Sequence, residues 1–334
     1  MRRYSRRQLL QGSLTLAGLS LLSGCERPDP QAAKPRRIGF LGTGSREGRT
    51  FMINGLLQGL RENGYVEGQN IVIEYRFSDD RDDRLPALAA ELVALKVELI
   101  VSSGVPANFA AKQATSTIPI VLGGSAANPV ETGLVASLAR PGGNVTGMTN
   151  MSSQLGGKRL ELFKEIVPGL TRVAVFWNPL NPVYGPILTE LDAAATKLGL
   201  KLQRLEVRVP GDFVGAFEAA TRQRAGALIA PSDPLVVNRP KGVAELALNY
   251  RLPTMMEIKE FVEVGGLISL GPNLPDSYRR AATHVDKILK GANPADLPIE
   301  QPATFDLFVN LTTAQALRLT IPQSVLLQAT KVIK

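Results

Sequence analysis

The chain has 334 residues, 44% of them hydrophobic, which is enough to core two domains and leaves no evident disordered region. Its formal charge is +8, but Arg2, Arg3, Arg6 and Arg7 precede every acidic residue and supply half of that excess, so the basic balance gives little support to a nucleic-acid partner. One cysteine and one histidine, Cys25 and His284, exclude an internal disulfide and argue against a metal site built from such ligands.

Residues 1–24 are predicted to be an export signal. Ser5-Arg6-Arg7-Gln8-Leu9-Leu10 looks like a twin-arginine leader, with the general secretory route as the alternative. The apolar run from Leu9 to Leu22 spans 14 residues, too few to cross a bilayer. Leu22-Ser23-Gly24-Cys25 resembles a bacterial lipobox, in which cleavage frees the cysteine for acylation of its sulfur and its new amine. The rival reading is a simple secretory leader with an incidental cysteine. A lipidated Cys25 would anchor the protein to a membrane surface, and residues 25–35, carrying Pro28, Pro30 and Pro35, read as the tether.

Beyond the tether, strands alternate with helices. Arg37 to Leu41 is a predicted strand, followed by a glycine-bearing loop and a helix with Ile53, Leu56, Leu57 and Leu60 on one face. Gly42-Thr43-Gly44 invites a dinucleotide reading, but the third glycine, Gly48, falls one place too late, and no cofactor is expected. Ser45 on this loop is a candidate ligand contact. Asn70 to Phe77 and Glu98 to Val101 are further strands, with a helix from Asp83 to Leu95 between them. Ser103 and Gly104 then sit where a helix begins, with Pro106 in its first turn, a place suited to a carboxylate or to simple capping. Thr117 to Asn150 reads as a strand, a polar loop with Ser125 and Asn128, a helix and a return strand. Such polar loops at strand carboxyl ends are where open α/β sheets bind ligands.

The second half repeats the pattern. A helix from Ser152 to Val167 leads to a strand from Arg172 to Trp177, and Asn178, Asn181 and Tyr184 follow it as candidate ligand contacts or turn chemistry. Strands at Leu202 to Val209 and Ala227 to Ala230 come next, the latter ending in Ser232 and Asp233. Asp233 could meet a cation or cap the following helix. Pro253 to Met256 ends at Glu257, and Gly266 to Leu270 leads through Asn273 into a helix from Pro275 to Leu289. His284 on that helix has no Ser or Asp partner pattern, and reads as surface or core-flanking; an enzyme is not expected. Thr304 to Val309 and Thr312 to Leu319 are a last strand and a short helix. Alternation of this kind predicts parallel sheets with right-handed crossovers.

Several stretches resemble one family: GYVEGQNIVIEYR (Gly64 to Arg76), LPALAAELVALKVELIV (Leu85 to Val101), AAKQATSTIPIV (Ala110 to Val121), GLVASLARPGGNVTG (Gly133 to Gly147) and the run from Gly271 to Pro302. Together they are similar to ABC-transporter substrate-binding proteins, the family with tryptophan- and tyrosine-binding members, over Arg36 to Ile333. The resemblance implies an α/β, type I periplasmic-binding-protein fold: two Rossmann-like lobes with parallel sheets, joined by three crossing segments near Asn150, Gly271 and Pro302. It places residues 36–150 plus about 271–301 in the N-terminal lobe, and 151–270 plus about 302–334 in the C-terminal lobe. A small solute, an amino acid or similar, would lie between them.

By strand order the resemblance assigns a ligand carboxylate to Ser103 and Ser125, and an ammonium to Asp233 or Glu257. The chain departs from the family at the turn from Met255 to Glu257 and at Leu270, where aromatic residues are usual. An aliphatic or other small amphipathic solute therefore fits at least as well as an aromatic one. The implied protein is a monomeric, exported lipoprotein, periplasmic or at the cell surface, that hands its solute to ABC permease subunits. A chemosensory binding protein without transport is the alternative.

Overall fold

The computed structural model describes residues 34–125, 128–181, 183–302 and 304–334. The predicted leader, Cys25 and most of the tether lie outside the described residues. Two sheets organise the rest. The first contains β1 (Arg36–Gly42), β2 (Ile71–Phe77), β3 (Ile100–Ser103), β4 (Ile120–Ser125) and β5 (Val145–Thr149). Its order is β2-β1-β3-β4-β5, and every pairing is parallel. Helices α1 (Thr50–Glu62), α2 (Leu85–Ala94) and α3 (Val105–Ala114) connect its strands. Their apolar stripes meet it: Met52, Ile53, Leu56 and Leu60 of α1 are buried with Ile38 and Phe40 of β1.

The chain then leaves this sheet. It passes through α4 (Gly156–Ile166), β6 (Arg172–Trp177), α5 (Tyr184–Leu198), β7 (Lys201–Glu206), α6 (Asp212–Arg222) and β8 (Ala227–Ile229). Next come α7 (Pro234–Val237), α8 (Pro240–Asn249), β9 (Thr254–Met256), α9 (Lys259–Glu263) and β10 (Ile268–Gly271). Helix α10 (Leu274–Leu289) returns to the first sheet, packing on α1, β4 and β5. A last passage brings β11 (Asp306–Asn310), α11 (Leu311–Ala316), α12 (Gln323–Gln328) and β12 (Lys331–Ile333) to the second sheet. That sheet runs β12-β11-β10-β9-β8-β6-β7. Its only antiparallel pairing among the described residues is β10 with β11.

Within these sheets one arrangement occurs twice. β7-β6-β8-β9-β10 has the same winding as β2-β1-β3-β4-β5, so each lobe has a switch point between its first and third strands, where helices leave to opposite faces. These two switch points carry the loops that matter below.

The expected helix between β4 and β5 does not form. Residues 129–144 run through turns and bends, despite the helical spacing of Leu134, Val135 and Leu138. Local bonds hold the turns instead: the Leu134 and Val135 amides both donate to the Pro129 carbonyl, at 2.8 and 3.1 Å. Lys112 Nζ donates to the Gly133 and Leu134 carbonyls at 3.0 and 2.6 Å, and Gly133 and Gly142 adopt the left-handed region. The terminal strand β12, and α12 before it, carry too weak a pattern to be read in sequence.

Helix α10 can lie close against α1 because Gly55 and Gly59 present no side chain there. A Cβ at Gly59 would meet the Arg279 carbonyl oxygen and come within 2.8 Å of Ala282 Cβ. Gly59→Ala should therefore destabilise the protein by about 1–3 kcal/mol through overpacking, although alanine favours a helix by roughly 1 kcal/mol. Urea unfolding checks this, and unchanged or higher stability would show that the two helices part without cost.

Candidate functional site

Loops from both switch points converge on one cavity. The first lobe contributes Arg49 and Met52 after β1, Gly104 and Val105 after β3, Gly124 from β4 and Asn150 after β5. Asn181 follows β6, and Ser232, Asp233, Pro234 and Val237 follow β8, while α10 adds Leu274 and Tyr278. The cavity has a volume of about 30 Å³, room for a water or two at roughly 10–15 Å³ each. A larger solute requires the lobes to part. Toward the surface a wider space of about 420 Å³ shares Asn181 and Pro234 with it, and is also lined by Gly44, Asp80, Asp82, Asn178 and Leu180.

Arg49 gives the first-lobe wall its charge. It precedes α1, is 4% exposed, and its guanidinium is held by neutral groups. Nε donates to the Thr43 carbonyl at 3.0 Å, Nη1 to Ser103 Oγ at 3.0 Å, and Nη2 to Thr43 Oγ1. Among the described residues it makes no ion pair within 4.0 Å. Burial pulls its pKa down, against the pull of Tyr278, Asp82, Asp233 and Asp80; an arginine nevertheless stays charged in a protein. Tyr278 reaches over from α10 and donates its hydroxyl to Ser103 Oγ. Its ring lies where a Cβ on Gly123 would be, so the glycine at the end of β4 is what admits it.

Asp233 faces Arg49 from the second lobe and is 1% exposed. One oxygen, Oδ1, caps α7 by accepting from the Leu235 amide at 2.9 Å; the other accepts from Asn181 Nδ2 at 2.9 Å. Asp233 thus caps the helix and also lines the cavity, and a carboxylate offers about four acceptor sites. Burial raises its pKa, with the Asn181 and Leu235 hydrogen bonds opposing.

The other sequence candidates are distributed unevenly. Gly104 and Ser232 line the cavity, and Ser103 lies behind Arg49, which it orients. Asn178 lines the outer space and accepts from the Leu180 amide at 3.0 Å. Ser125 ends β4 beside Gly124, and its side chain lies outside the described residues. Tyr184 is buried in the second lobe's core, its hydroxyl without a hydrogen-bond partner among the described residues. Glu257 is buried against Arg159, with Nη1 to Oε1 at 3.0 Å, and does not reach the cavity. Arg159 also donates through Nε and Nη2 to the Leu270 carbonyl, at 3.2 and 3.0 Å. Ser45 accepts from the Gly48 amide, Asn128 from the Val130 amide, and Asn273 caps α10. These last three turn-forming side chains are not brought to the cavity.

Arg49, Met52, Asn150, Leu274 and Tyr278 were not anticipated as site residues. Arg49 sits in a loop after a strand, which is a signal, but nothing in sequence separates it from Arg46. Tyr278 is 175 positions from the serine it bonds. His284 is 2% exposed rather than at the surface, donates Nε2–H to the Pro298 carbonyl at 3.1 Å, and has a pKa lowered by burial. No group of three or more His, Cys, Asp or Glu among the described residues could hold a metal ion.

A family model described as ABC transporter substrate binding protein matches residues 40–333. The chain belongs to this family. It is 26% identical over 310 residues to a tyrosine-binding protein of Clostridioides difficile, covering 90% of this chain and 89% of that one. A structure from Streptococcus pneumoniae, described as an ABC domain in complex with L-Trp, is 27% identical, with a TM-score of 0.81 and coverage of 90% and 100%. A ligand-free, open substrate-binding protein with adhesive properties from Clostridium difficile is 25% identical, with a TM-score of 0.63 and coverage of 90% and 99%. The fold is the type I periplasmic-binding-protein fold. No described helix of this substrate-binding protein is long and apolar enough to cross a membrane.

The Arg159–Glu257 pair lies in the second lobe, and neither residue lines the cavity. Arg159→Met should cost about 3–5 kcal/mol, because it leaves Glu257 buried and unpaired, and the added change Glu257→Leu should recover most of it. Urea unfolding of the two variants decides; a double variant no more stable than the single would refute the account.

Proposed function

We propose that the protein captures an α-amino acid or close analogue between its lobes and delivers it to an ABC permease. The observation that carries this reading is the guanidinium of Arg49, buried without a carboxylate partner among the described residues, in a cavity whose opposite wall bears Asp233. A buried charge is costly unless paired. A zwitterion would supply a carboxylate for Arg49 and an ammonium for Asp233 in one molecule. The relatives described as tyrosine-binding and as an L-Trp complex support the amino-acid class. Tyr278 is the one aromatic residue among the described residues on the cavity wall, which favours an aliphatic or small amphipathic side chain.

The lobes are 36–150 plus about 271–301, and 151–270 plus about 302–334. The higher TM-score against the L-Trp complex than against the open, ligand-free relative supports reading this arrangement as the closed one. Cys25 after Leu22-Ser23-Gly24 supports an exported, lipid-anchored, extracytoplasmic protein.

Calorimetry and thermal shift of the chain from Glu26 against the L-amino acids test the reading. Binding of at least one is expected, weakened more than tenfold, about 1.4 kcal/mol, by Asp233→Ala and by Arg49→Met. Because burial raises the Asp233 pKa, the ammonium contact exists above that pKa and is lost as pH falls through it, earlier than for an ordinary aspartate. Affinity should drop on acidification in that window, and Asp233→Asn should flatten the profile. No binding by any amino acid, or unchanged affinity in both variants, would reject the proposal.

A further inference from the structure

The two lobes touch beside the cavity through a contact that only glycine permits. Gly44 and Gly48, in the loop after β1, lie against Asn238 at the end of α7. A Cβ on Gly44 would overlap Asn238 Nδ2; one on Gly48 would stand 2.9, 3.2 and 3.3 Å from its Cβ, Cγ and Cα. Gly44 is held in place by its amide, which donates to Ser78 Oγ at 3.0 Å, and Ser78 in turn donates to Asp82 at 2.8 Å. Next to this contact Arg239 forms a two-pronged ion pair with Asp80 across the lobes, Nη1 to Oδ1 at 3.3 Å and Nη2 to Oδ2.

The seam contains opposing terms. The Asp80–Arg239 pair favours contact between the lobes. Asn238 opposes it: both Nδ2 and Oδ1 are buried, and neither has a hydrogen-bond partner among the described residues. A buried amide without partners forfeits its hydration with nothing in return, and water reaches it again when the lobes part. The term acts only in the closed form, so it biases the protein toward opening until a solute offsets it.

We propose that the Gly44/Gly48 notch and Asn238, with the Asp80–Arg239 pair, form a clasp that sets the open–closed balance of the cleft. The proposal rests on a solute having to enter between the lobes, and not on which solute it is. Gly48 suits a test because its φ lies outside the left-handed region, so alanine fits its backbone in the open form. The Asn238 amide is equally removable without touching the cavity wall.

Hydrogen exchange of the full-length chain without solute, read by mass spectrometry, tests the clasp independently of any ligand. Gly48→Ala should speed exchange at least tenfold in both 43–49 and 234–239, on opposite lobes, with β1 and β6 unchanged. Adding Asn238→Gly should restore slow exchange, since only the 3.3 Å contact to Cα is left. Asn238→Ala alone should slow exchange in both segments by removing the unpaired amide. The clasp is overturned if Gly48→Ala affects only its own segment, if the double variant stays fast, or if Asn238→Ala speeds exchange across the seam.

Discussion

Arg49 is the charge around which the cleft is built. Its guanidinium is almost wholly buried, yet it is held by a carbonyl, a threonine and a serine rather than by an acid. Three separate parts of the first lobe hold it in place: the loop after β1, the end of β3, and Tyr278 on α10, which bonds the same serine. That third part explains why the chain comes back from the second sheet to lay α10 across α1 and β4. Gly55 and Gly59 let the helix approach, and Gly123 makes room for its ring.

The second lobe answers with the same winding and the opposite charge. Asp233 follows β8 as Gly104 follows β3, each beyond the third strand of its own switch point. Two copies of one architecture facing each other put the strand carboxyl ends on either side of a single space. Neither lobe alone encloses it. The cavity therefore takes both lobes to form.

Much of this was legible in the sequence, for reasons that local chemistry supplies. Buried parallel strands such as Ile120 to Leu122 announce themselves as β-branched runs, and several of the loops after them line the cavity. Asp233 was visible because Pro-Ser-Asp-Pro ends a strand. What failed did so where local pattern and tertiary fate diverge. Leu134, Val135 and Leu138 have helical spacing, but Gly133, Gly142 and the reach of Lys112 hold turns instead. Glu257 looked like a ligand acid and is taken by Arg159, a residue about a hundred positions earlier. Asn273, Asn128 and Ser45 look identical in sequence to ligand-binding polar groups, and they spend their acceptors on neighbouring amides. Arg49 and Tyr278 gain their meaning only from contacts distant in sequence.

The proposed zwitterion would satisfy both walls with one molecule. Calorimetric comparison of the amino acid that binds best with two of its analogues, one lacking the carboxylate and one lacking the amine, tests this pairing. Each analogue should lose more than tenfold in affinity, and Arg49→Met should remove the penalty for losing the carboxylate while leaving the penalty for losing the amine. An analogue missing either group that binds as tightly as the parent amino acid would contradict it.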